Sequence, residues 1–334
     1  MKTLKSSIVT CALFLASLAL AIFAQAGGQT RERQHPHHAM TAPTPHAAPP
    51  KFKMDCTLPE LTTGALTIDK VCGNRGSAPA NSASAKQNLI KNRFCLSGSP
   101  TTPIEIDFDT IDALQTAARN KHIHFGRKPD PHNPGKTIED LPTDRSLLVD
   151  LITVNGQHLG EGSLVTLEGF IFKAQHSNTF VFGSEGESVN CKGMASSKTL
   201  KGNDIHIALS RTNAGTQNTS EASECETVTA EITPHHRSAL YNRFDTNPAD
   251  FLNGAHQKTG QDKLSGSPLP LKGARVRITG QLFFDGSHSP CVNGHGGPPR
   301  RSIWEIHPVF EIQVFESSQN GFISLADWVQ LHSH

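Results

Sequence analysis

Histidine and carboxylate residues recur at two-residue spacing in the second half of this chain. Asp204-Ile205-His206 reads acid, apolar, histidine, and Glu305-Ile306-His307 repeats the order. Between them Glu231 precedes Pro234-His235-His236, and Asp285 precedes Ser287-His288. On a β-strand, residues i and i+2 share a face, so each acid–histidine pair would point one way and its isoleucine the other. Asp204, His206, Glu231, Glu305 and His307 are therefore candidate ligand or metal residues, with His235, His236, Asp285 and His288 as contributors from adjoining loops. Two chemistries use that combination. Imidazole nitrogen and carboxylate oxygen ligate Zn²⁺ or a related divalent ion, and a carboxylate beside an imidazole tunes it for proton transfer. A third reading is structural, with the pairs bracing a barrel. No spacing matches H-E-x-x-H, G-x-S-x-G or a phosphate-binding loop, so no catalytic residue is assigned.

These residues sit in segments whose apolar period is two. Leu164–Lys173 places Val165, Leu167 and Ile171 on one face, and Ile205, Ile207 and Leu209 alternate after Asp204. Val228, Ala230 and Ile232 follow the same rule, as do Val276, Ile278, Leu282 and Phe284, and Ile306, Phe310, Ile312 and Val314. Five amphipathic strands predict a small closed or nearly closed antiparallel barrel. Glu168-Gly169 and Thr279-Gly280 are its expected bend points. The acids and histidines fall on the face away from the core. A short helix over Leu325–Leu331, capped by Ser324, would bring Trp328 onto the barrel.

The first half reads differently. Lys2 and Lys5, the apolar run from Ile8 to Phe23 and the small-x-small Ala24-Gln25-Ala26 have the form of a signal peptide over 1–26. Residues 27–54 read as a disordered Pro/Ala/His linker carrying His35, His37, His38 and His46. Residues 55–150 form a Cys-containing, loop-rich α+β segment with one helix expected over Thr110–Lys121. Asp109 is its expected N-cap, and Ile111, Leu114 and Ala118 share its apolar face. Arg127 to Pro142 reads as an exposed loop. The barrel domain is placed at 151–320 and a short helix and tail at 321–334. The fold class is thus mainly β, with a five-stranded barrel preceded by a small mixed segment.

Export would leave Cys56, Cys72, Cys95, Cys191, Cys225 and Cys291 as candidate disulfide residues, none in a C-x-x-C spacing. If all six pair, an odd number of bridges must join the two halves. The chain carries 31 Lys and Arg against 30 Asp and Glu, and loss of Lys2 and Lys5 leaves 29 against 30. General attraction to nucleic acid or to an anionic membrane is therefore excluded. A nucleic-acid role would need a local basic patch, for which Lys272, Arg275, Arg277, Arg300 and Arg301 are the candidates.

The second half resembles the OB-fold. More narrowly, it is similar to a group of exported bacterial proteins of undefined function through ESVNC (187–191), NDIHIALS (203–210), TVTAEITPHHR (227–237), GQLFFDGSH (280–288) and WEIHPV (304–309). The resemblance covers roughly 160–330 and implies a ligand on the barrel face, often a saccharide or single-stranded nucleic acid. Nucleic-acid binders also need exposed stacking aromatics, for which Phe283 and Trp304 are the candidates. The reading that results is an exported, periplasmic or extracellular binding module. It is stabilised by disulfides and presents a His/carboxylate site to a small ligand, a saccharide or a divalent metal such as Zn. The alternatives are a metal-dependent hydrolase of phosphodiesterase or nuclease type, and a structural or interaction scaffold.

Overall fold

The computed structural model describes residues 62–63, 66–67, 75–76, 78–92, 102–176, 204–236, 240–241, 269 and 271–332. The expected signal peptide and linker lie outside these residues, as do Cys56, Cys72, Cys95 and Cys191.

Helix α1 (Ala83–Lys91) is preceded by Ser82, whose hydroxyl accepts a hydrogen bond from the Ala85 N–H at 3.0 Å. Strand β1 (Ile104–Ile106) leads into helix α2 (Phe108–Asn120), which buries Ile111, Leu114 and Ala118 against the core. The helix starts earlier than its sequence suggested. Asp107, not Asp109, is the N-cap, because its carboxylate closes a capping box with Thr110. The expected loop from Arg127 carries a short exposed hairpin, Arg127–Pro129 with Thr137–Glu139.

Five long strands follow: β2 (Leu164–His176), β3 (Ile205–Ser210), β4 (Val228–Ile232), β5 (Arg275–Phe284) and β6 (Trp304–Glu316). They pair in the order β4-β3-β2-β5-β6, and β6 returns to β4 through Ala230 and Ile306 to close a barrel. That last contact is parallel, whereas the other four pairings of the ring are antiparallel. The expectation of a purely antiparallel barrel is corrected for a simple reason. Strand directions cannot alternate around a closed ring with an odd number of members, so at least one pair must be parallel. Strand β1 adds a second parallel pairing along β2.

The predicted alternation holds along most of the barrel, with Leu167, Ile207, Ala230, Ile278 and Ile306 all fully buried inside. It slips once. Between Ile306 and Ile312 the core position belongs to Val309, and Phe310 is only half-buried. Opposite this stretch, the β5–β6 register shifts on both sides of Gly280. A Cβ on Gly280 would lie 2.4 Å from both Ile306 Cγ2 and the Pro308 carbonyl, so only glycine admits the crossing. At the other expected bend, Gly169 makes a close approach to the Ser210 carbonyl, while the bulge in β2 lies further on, between Ile171 and Lys173.

Strand β7 (Gly321–Ser324) extends the sheet beyond β6, and helix α3 (Leu325–His332) ends the described chain. Ser324 accepts from the Asp327 N–H at 3.1 Å and Trp328 packs against the core, both as expected. Cys225 and Cys291 form a disulfide between two segments of the second half. Among the described residues, no helix is long and apolar enough to cross a membrane.

Candidate functional site

Strand register brings the predicted acids and histidines together. On β3 and β4, His206 stands directly opposite Glu231. The parallel contact of Ala230 with Ile306 sets Glu231 beside the β6 pair Glu305 and His307, and Phe283 on β5 faces Glu305. All lie on the outer face of the barrel, opposite the apolar residues that fill it.

That outer face is not open, and here the expectation of a presented site is corrected. Asp204, Glu231, Asp285, Glu305, His307 and His235 are completely buried, whereas His206 and His288 remain partly exposed. The cover comes from two places. Helix α1 lays Gln87 and Lys91 on the acids, and the segment after Cys291 delivers Arg300. Neither residue was legible as part of the site. Lys91 lies in a stretch whose sequence predicts no helix, and Arg300 reads from sequence as a member of the basic patch. The orientation of α1 hid the signal further, because its polar residues face inward while Leu89 is half exposed.

Lys91 Nζ lies 3.4 Å from Asp285 Oδ2, 3.7 Å from Glu231 Oε2 and 3.8 Å from Glu305 Oε1. Arg300 Nη1 lies 3.1 Å from Glu305 Oε2 and 3.5 Å from Asp285 Oδ2. His307 Nδ1 approaches Glu231 Oε2 at 2.8 Å and Glu305 Oε1 at 3.3 Å. His206 Nε2 is 3.3 Å from Glu231 Oε1, and His288 Nε2 is 3.3 Å from Asp285 Oδ2. His235 is buried nearby in the 3-10 turn Pro234–His236.

Burial penalises the charged His307 ring, but the Glu231 charge and the hydrogen bonds the ring donates to Glu231 and Glu305 outweigh it, raising its pKa to about 10. Glu305 is pushed up, first by burial and then by the neighbouring Glu231 charge, with Lys91 opposing. A protonated His307 carries two N–H donors. Its Nδ1 is satisfied by carboxylates, whereas Nε2 is buried with no hydrogen-bond partner among the described residues. An unsatisfied buried donor costs about 1–3 kcal/mol.

One ligand atom from each of Asp204, Glu231 and His307 lies within 4.8 Å of the other two. Zinc bonds of about 2.0–2.2 Å to N and O ligands place tetrahedral neighbours roughly 3.4 Å apart, so the three atoms need only a modest contraction to share an ion. Asp285 and His288 belong to the same network through Lys91 and Arg300, not to this triplet. Beside it, a cleft of about 280 Å³ is lined by Lys173, His206, Glu224, Thr229 and Arg300 among others.

Of the basic-patch candidates, Lys272 is exposed and the arginines have acidic partners, while both candidate aromatics are buried. Arg275 and Arg277 bind Glu168 and lie over the Phe315 and Phe322 rings. Arg301 binds Asp112 and Glu226, and Arg300 is buried. Phe283 does fall on the polar face but is sealed beneath Lys91, and Trp304 faces the core. Both aromatics are therefore unavailable for stacking on bases. No family model, curated protein or solved structure matches the chain.

Proposed function

We propose that this protein is an exported binding module whose OB-like barrel holds a divalent cation of the zinc type through Asp204, Glu231 and His307. The observation that carries the reading is His307. One ring nitrogen is oriented by two carboxylates, and the other is buried without a hydrogen bond among the described residues. Metal-ligating histidines have that arrangement, with a carboxylate on the non-ligating nitrogen. An ion in place of the ring's second proton would remove the unsatisfied donor and offset the carboxylate charge around it. Glu305 would act as an orienting carboxylate. The half-buried His206 would sit between the ion and the cleft, giving a small ligand an approach.

Isothermal titration of chelator-stripped protein with Zn²⁺ tests the reading. One equivalent should bind with proton release, and His307→Gln or Asp204→Asn should abolish the tight phase. Glu305→Gln should weaken it by about 10–100-fold, the usual cost of losing an orienting partner. Absence of saturable binding in folded wild-type protein would leave the cluster as a brace for the barrel.

A further inference from the structure

We propose that Lys91 and Asp285 become joined by an intramolecular isopeptide bond, fastening helix α1 to the barrel. The two side chains are 194 residues apart in sequence, buried together, with Nζ 3.4 Å from Oδ2. An ordinary buried ion pair would need only that. The surroundings of Asp285 go further, because its two oxygens have different roles.

Asp285 Oδ1 accepts three hydrogen bonds: from the Ser287 hydroxyl at 2.5 Å, the Ser287 N–H at 3.2 Å and the Gln87 side-chain amide at 3.1 Å. Donors converging on one oxygen polarise a carboxyl carbon and stabilise the oxyanion that forms when it is attacked. Oδ2 faces the attacking side instead, with Lys91 Nζ, His288 Nε2 at 3.3 Å and Arg300 Nη1 at 3.5 Å. The Lys91 ammonium is further positioned by Glu231 and Glu305 and lies 5.5 Å from the Phe283 ring centroid.

A proton passes from the Lys91 ammonium to Asp285 Oδ2, and the freed amine attacks Cγ to form the C–N bond. The Cγ–Oδ2 bond breaks as a second proton from nitrogen leaves with that oxygen. Ammonium and carboxylate together become one amide and one water. Two of the three ammonium protons leave with Oδ2, and the third stays on the amide nitrogen. No oxidant, reductant or activating group is required. Holding the reactants in place substitutes for activation, since well-oriented intramolecular reactions reach effective molarities of about 10⁵–10⁸ M. Loss of water from a buried site opposes the reverse hydrolysis, and the product replaces two buried charges with a neutral group.

None of the proposed metal ligands takes part in the new bond, so ion binding and cross-linking can fail independently. The test uses the purified, folded full-length protein, reduced and denatured, and then mapped by tryptic digestion and tandem mass spectrometry. The expected result is a branched peptide joining the segments of Lys91 and Asp285, one water lighter than their sum, with cleavage after Lys91 lost. Asp285→Ala and Lys91→Arg should each restore the missing water in the intact mass, while the exposed Lys86→Arg should not. Recovery of linear peptides, with Lys91 cleaved and Asp285 unmodified, would overturn the proposal. So would a branched peptide that persists in Asp285→Ala. The wild-type map decides the matter even where a variant fails to fold.

Discussion

The inside and the outside of this barrel are both dry, but for opposite reasons. Inside, Ile207, Ala230, Ile278 and Ile306 exclude water because they are apolar. Outside, on the face turned toward α1, Glu231, Asp285, Glu305, Lys91 and Arg300 exclude it by satisfying one another. Burial of hydrocarbon is non-directional and tolerates small shifts. Burial of charge is not tolerant. It stabilises only while partners stay in place, and removal of one partner strands the rest.

The largest effect should therefore come from the outer face. Lys91→Met keeps much of the side-chain volume but removes the nitrogen shared by Asp285, Glu231 and Glu305, whether ammonium or amide of the proposed link, and should cost at least about 3–5 kcal/mol in urea unfolding. A loss below that of a core truncation would mean the outer charges are not a mutually dependent set. Ile207→Ala removes a fully buried side chain from the interior and should cost about 2–4 kcal/mol. Its effect should be independent of pH between 5 and 10, unlike that of the outer face.

The pH dependence sharpens the same contrast. The folded-state pKa of His307 is raised to about 10, so the stability it contributes is complete below the unfolded value near 6.5 and is lost as pH rises through about 10. Metal-free wild-type protein should therefore weaken progressively on the alkaline side, and His307→Gln should flatten that limb. Glu316 has the opposite sign. Hydrogen bonds from His332 and Ser318 hold its pKa at about 2, so its contribution is present above about 4.5 and is lost as pH falls through 2. Smaller still is the cap of α2. Asp107→Ala should cost about 1 kcal/mol, measured as a modest fall in Tm with the barrel intact.

The two regions also differ in how much of them the amino-acid order discloses. A period of two in Ile205, Ile207 and Leu209, or in Val228, Ala230 and Ile232, reports directly which side faces the core. The same period placed Asp204, His206, Glu231, Glu305 and His307 on the opposite side, and register brought Asp204, Glu231 and His307 together. What periodicity cannot report is the cover. Lys91 reaches the cluster from a helix more than a hundred residues away in the chain, chiefly through contacts with carboxylates. Such a face has no apolar stripe to reveal it, and Leu89 on the exposed side points the pattern the wrong way. Arg300 was hidden for a related reason, since an arginine beside Arg301 reads as surface until its carboxylate partners are seen. Val309 in place of Phe310 marks another limit, because the slip depends on how Gly280 lets β5 cross β6.

The central claim is that the histidine–carboxylate convergence on the outer face is a cation site. Anomalous diffraction at the zinc absorption edge, from crystals grown with Zn²⁺, tests it most directly. The account predicts a single strong peak within bonding distance of Asp204, Glu231 and His307 carrying side-chain ligand atoms from all three. A map with zinc only on surface histidines, and the three side chains still held by Lys91 and one another, would contradict it.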